Sequence, residues 1–207
     1  MKRWMGIVCL LFAVTLLGAC VSAQVRHGQR LFAGCVDKVD DRATLESGEF
    51  VCDGGRDREP FGGNGRACGD CHVPGDNFGI SQQRIAALSL DHPFFFDGID
   101  EDPARLRSDG LVHVVVPGQL DEFRRTPKLV HLQKLCDEDG NCDALGLLGD
   151  RVRNLCVFST QPIINHMSKT LVREPGLDFR LPTQEECAAL VAYMISDLVA
   201  EQDERAR

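Results

Sequence analysis

Gly65-Arg66-Ala67-Cys68-Gly69-Asp70-Cys71-His72 sets two thiols three positions apart and follows the second at once with an imidazole. A Cys-x-x-Cys spacing places both sulfurs on one helical turn, with the histidine just beyond them. That arrangement suits covalent attachment of haem c: each thiol adds to one vinyl group of the macrocycle, and the imidazole becomes an axial iron ligand. Cys68 and Cys71 are therefore expected to hold one haem, with His72 ligating its iron from the proximal side. Two other readings of the pentapeptide are weaker. A zinc ribbon or finger needs a second Cys or His pair at matching spacing, and the remaining cysteines are scattered. A redox dithiol would follow a strand of a βαβ unit, and no such pattern precedes Cys68.

Around this motif the chain has 207 residues, ten of them cysteine, with 43% hydrophobic and 26% charged side chains. Such a composition excludes a disordered tail, a collagen-like repeat and a multi-span membrane protein. Residues 1–23 read as a secretory signal peptide: Lys2 and Arg3, an apolar run from Ile7 to Leu17, then small residues. Two processing sites compete. Val21-Ser22-Ala23 before Gln24 suits ordinary signal peptidase, whereas Leu17-Gly18-Ala19-Cys20 resembles a lipobox, which would make Cys20 a lipid anchor. Either site implies export to the periplasm, with residues 24–207 forming one domain. Without the leader the chain carries 21 basic against 31 acidic residues, a balance of −10. An acidic chain with no basic cluster is a poor ligand for nucleic acid. Its surface would instead steer it toward basic rims on redox partner proteins.

Setting aside Cys9, Cys20 and the haem pair leaves six cysteines, an even number that an oxidising compartment would turn into disulfides. Cys136 and Cys142 flank the polar turn Asp137-Glu138-Asp139-Gly140-Asn141 and suggest a local clip. Cys35 with Cys52, and Cys156 with Cys187, complete one of several open pairings.

A short helix is expected from His27 to near Cys35, then an exposed loop over residues 36–61. Phe61-Gly62-Gly63-Asn64-Gly65 reads as a turn that delivers the chain into the motif. Ser81 to Leu88 can form about two helical turns. The clearest element is C-terminal. Thr183-x-x-Glu186 forms a capping box, and Cys187, Leu190, Val191, Met194, Ile195, Leu198 and Val199 continue one apolar stripe. Few stretches alternate with period two, so the expected fold class is all-α.

The sixth iron position separates a carrier from an enzyme. A second strong ligand leaves no room for substrate, whereas an open site admits peroxide or small gases. Pro162 reads as a helix opener that would set Ile163, His166, Met167 and Leu171 on one face. His166 is thus the first distal candidate, Met167 the second and His113 the third, while Met194 reads as core filler. Histidine would give a lower potential than methionine. His72 needs a carbonyl for its other ring nitrogen, and Pro74 is a local acceptor. Arg124 and Arg125 are either partners of the haem propionates or an exposed basic patch.

Residues 63–72, followed by Asn77-Phe78, resemble exported c-type cytochromes with a Gly-Asn-Gly-Arg-x-Cys-x-x-Cys-His signature. Arg125-Thr126-Pro127-x-Leu129 and Arg180-Leu181-Pro182-Thr183-x-x-Glu186 are similar to segments of bacterial cytochrome c domains related to di-haem cytochrome c peroxidases. The resemblance implies a cytochrome c-like helical domain around one covalently bound haem, with loop insertions and with its terminal helices crossing. It also matches His166, ahead of the Arg-Leu-Pro-Thr segment, to a distal ligand. Those peroxidases carry two haem motifs and a Phe-His-Asp-Gly-like stretch. This chain has one motif, and Leu148-Gly149-Asp150-Arg151 lacks the histidine. The implied protein is an electron carrier without catalytic residues; the alternative is a haem peroxidase-like enzyme, or a subunit of one, with an open distal site.

Overall fold

The computed structural model describes residues 23–36, 43–46, 48–95, 103–116, 120–145 and 151–206. Residues 1–22, with the lipobox and Cys20, lie outside these residues, as does most of the Leu148–Arg151 stretch; the other cleavage site, between Ala23 and Gln24, falls at the start of the first helix. The first helix, α1 (residues 23–33), packs against α6 (Gln184–Met194) with no side chain between the backbones at Gly28. A Cβ there would fall 1.9 Å from the Ala189 carbonyl oxygen, so only glycine permits the crossing. Phe32 and Tyr193 seal it edge to face, with ring centroids 5.3 Å apart.

The capping box forms as read. The Glu186 N–H donates to Thr183 Oγ1 (3.2 Å), and the Thr183 N–H donates to the Glu186 carboxylate (2.7 Å). The apolar stripe beyond it does not continue as a single helix. α6 stops at Met194, and α7 (Asp197–Ala206) resumes after Ile195 and Ser196. Ser196 turns the chain by donating both its N–H and its hydroxyl to the Tyr193 carbonyl, at 3.0 and 2.6 Å. The Tyr193 hydroxyl then donates to Gln202 on α7 (2.6 Å).

The all-α expectation is overturned: the fold is mixed α and β. Among the described residues three antiparallel hairpins interrupt the helices, pairing β1 (Ala43–Glu46) with β2 (Glu49–Cys52), β3 (Val112–Val116) with β4 (Leu120–Arg124), and β5 (Ala144–Leu145) with β6 (Arg151–Val152). The first hairpin occupies the segment expected to be loop. Two of the three have a local cause. The valine-rich β3 loses side-chain freedom in a helix and suits a strand. Gly48, at φ 80°, turns β1 into β2, and the Cys35–Cys52 disulfide fastens β2 to the end of α1.

Two further disulfides, Cys136–Cys142 and Cys156–Cys187, join the described residues. The last joins α6 to α5 (Leu155–His166). Three crosslinks fit an oxidising compartment outside the cytoplasm. Among the described residues no helix is long and apolar enough to cross a membrane. The main core gathers Phe32, Phe61, Phe78, Ile163, Met167, Leu190 and Tyr193. A second core, of Ile85, Phe94, Phe95 and Leu106, lies at α3 (Gln82–Ala87) and α4 (Pro103–Asp109).

Candidate functional site

The motif folds as α2 (Cys68–Cys71), a single helical turn whose entry is set by Asp70. The buried Asp70 carboxylate accepts the Ala67 N–H at 2.7 Å and pairs with the Arg56 guanidinium. Cys68 and Cys71 are both half-buried and stand outside the three disulfides. Burial, and after it the Asp70 carboxylate, pushes the Cys68 thiol up to about 12. A dithiol that attacks disulfides relies on the opposite shift at its attacking sulfur.

His72 caps α2, and its Nδ1–H donates to the Phe78 carbonyl at 2.8 Å. A carbonyl can only accept, so this bond fixes the tautomer and leaves Nε2 with its lone pair. The acceptor is Phe78 rather than Pro74. Pro74–Asp76 form a tight 3-10 turn, and left-handed Asn77 and Phe78 (φ 59° and 54°) fold the chain back under the ring. Burial lowers His72 to about 4, overcoming the Phe78 and Pro127 carbonyls, which favour the protonated ring.

His166 is the last residue of α5. Pro162 does not open that helix but lies inside it. The start belongs to Asn154, whose side chain accepts the Val157 N–H at 3.2 Å. Burial first, then the charges of Arg66, Arg173 and His72, lower His166 to about 4. Both imidazoles are therefore neutral at pH 7. The other candidates fall elsewhere. Met167 is buried in the main core, as is Met194. His113 stacks on Phe123 across the β3–β4 hairpin, with centroids 4.6 Å apart. Leu171 lies past the end of α5 and is exposed. Arg124 pairs with Glu122 at 2.7 Å, and Arg125 is exposed.

The turn before the motif does more than deliver the chain. The Asn64 N–H donates to the Met167 carbonyl (2.9 Å), and Asn64 Nδ2 donates to the His166 carbonyl (3.0 Å). Buried Arg66 donates to the same His166 carbonyl (3.2 Å) and, through its other nitrogens, to the carbonyls of Pro93 (3.0 Å) and Phe94 (2.6 Å). Gly63 lies so close that a Cβ would fall 1.9 Å from the Met167 carbonyl oxygen. The glycine run signals a close backbone approach. Nothing local identifies the other segment, which is 102 residues away from Asn64.

These residues fit a covalently held haem: two thiols on one turn, an imidazole in the ligand-ready tautomer, and a turn just ahead of them bonded to the His166 carbonyl. The Ser168 hydroxyl, fully buried two residues past His166, has no hydrogen-bond partner among the described residues. An orphaned polar atom of this kind marks a place where a group is wanting. A cavity of about 510 Å³ opens beside the motif between Asn64, Gly65, Arg58 and the His92–Phe95 segment; neither thiol nor His72 lines it. Among the described residues no group of three or more His, Cys, Asp or Glu side chains is placed to hold a metal ion. Compared with known protein families, curated proteins and solved structures, the chain matches none of them.

Proposed function

We propose that the protein is an electron-transfer c-type cytochrome carrying one haem c. Cys68 and Cys71 would hold the group through thioether bonds, with His72 as its proximal and His166 as its distal iron ligand. The observation that carries this reading is the Cys68-x-x-Cys71-His72 turn, kept out of all three disulfides, with Asn64 and Arg66 just ahead of it bonded to the His166 carbonyl. Covalent attachment asks only for one helical turn with the right spacing, so a mixed α and β fold is no obstacle.

When bound, haem supplies a one-electron ferric/ferrous couple. The chain's own residues do the rest. The Phe78 carbonyl orients His72, the Phe32 ring packs beside it, and His166 would be the residue to fill the remaining axial position. A filled position favours a carrier over a peroxidase-like enzyme. Export to the periplasm, a lipid anchor on Cys20 and docking to basic redox partner proteins belong to the same reading.

Denatured protein purified from an exporting host should remain coloured, with the mass of the mature polypeptide plus one haem. A colourless product with the mass of the bare chain would overturn the reading. In the coloured protein, His166→Ala should convert a six-coordinate low-spin spectrum to high-spin. An unchanged spectrum would move the distal role to Met167 or His113.

A further inference from the structure

We infer that Asn64 and Arg66 are positioning residues for the distal ligand, clamping the end of α5 so that His166 stays on the side of His72. This rests on the reading above. A helix ends with its last carbonyls unsatisfied. In α5 the carbonyls of His166 and Met167 are taken by three donors from a single short stretch, the Asn64 N–H, Asn64 Nδ2 and the Arg66 guanidinium. The clamp is braced at its root, because Asn64 Oδ1 accepts the Arg66 N–H at 3.2 Å. Arg66 also binds the backbone of Pro93 and Phe94, which holds its guanidinium in one place. A cation at this end of the helix also complements the helix dipole.

Cys68 follows Arg66 by two residues, so one stretch of chain carries both the thiols and the anchor of the opposite ligand. At its far end α5 is tied to α6 by Cys156–Cys187. For this helix end to move off the turn, all three bonds would have to break. The clamp would thus hold the backbone of His166 in place for a haem carried by the thiols.

The test compares the haem-loaded wild type with Asn64→Ala and Arg66→Lys. It reads the ferric low-spin signature and the fraction of reduced protein that binds carbon monoxide, with and without added imidazole. Losing one such bond should raise the carbon monoxide-reactive fraction about tenfold, and added imidazole should restore the low-spin signature. Low-spin variants that stay inert to carbon monoxide overturn the inference. A high-spin signal that imidazole does not restore also overturns it, since that reports collapse of the pocket rather than a misplaced ligand. Asn64→Asp keeps the side-chain size but removes the Nδ2 donor, and decides the matter should the other variants fail to accumulate. A wild type without haem fails the function proposed above before any variant is compared.

Discussion

Gly63 has no side chain because the Met167 carbonyl occupies the place where one would begin, 1.9 Å from an ideal Cβ. Gly63→Ala must therefore push backbone against backbone, and neither partner is the yielding tip of a long side chain. The expected loss is about 3 kcal/mol in chemical denaturation; a loss under about 0.5 kcal/mol would show that the turn and α5 are not in register. Cys68, Cys71 and His72 were legible in the sequence because their chemistry is written into a five-residue spacing. The acceptor for His72 was not. It depends on two successive left-handed residues, Asn77 and Phe78, and a phenylalanine at φ 54° is not something composition announces.

Elements were readable where their signals are local. The Thr183–Glu186 box needs residues three apart and nothing else, and it forms; the two helical turns expected over Ser81 to Leu88 also form, as α3. Glu186 is also held by Arg180, whose guanidinium meets its two carboxylate oxygens at 2.7 and 2.8 Å. That hydrogen bonding, outweighing partial burial, draws the Glu186 carboxyl below its ordinary value. A depressed folded value means that the contribution is complete above the ordinary carboxylate range and disappears as pH falls through the folded value. The gap in Tm between wild type and Glu186→Gln should therefore be steady at neutral pH and close below about pH 4; a gap that persists unchanged into acid would refute the assignment. Signals that cross elements were not readable. Pro162 looks like a helix start because proline favours first turns, yet the stronger Asn154 cap lies eight residues earlier and the helix runs through. The hairpins are too short for period two to stand out, and β1–β2 is held by a disulfide as much as by its own residues.

At the scale of the molecule, crosslinks and long-range clamps hold together what short helices and two-stranded hairpins could not hold alone. Cys156–Cys187 spans 31 residues, so in the chain-entropy view its loss costs about 3–4 kcal/mol. Cys156→Ser with Cys187→Ser should lower the unfolding free energy by that order under non-reducing conditions; a drop below about 1 kcal/mol would mean that packing alone joins α5 to α6. The all-α expectation failed at this scale because helical periodicity at the C-terminus was extended to a chain whose middle is organised by turns, crosslinks and valine-rich strands. The three crosslinks of the described residues must form while Cys68 and Cys71 stay out of them, a standing invitation to scrambling during oxidative folding. Burial, with the Asp70 carboxylate adding to it, holds the Cys68 thiol up at about 12 and so keeps that sulfur in its protonated, non-attacking form. Once α2 has formed, the packed turn acts as a chemical chaperone, leaving that sulfur out of exchange until it is wanted.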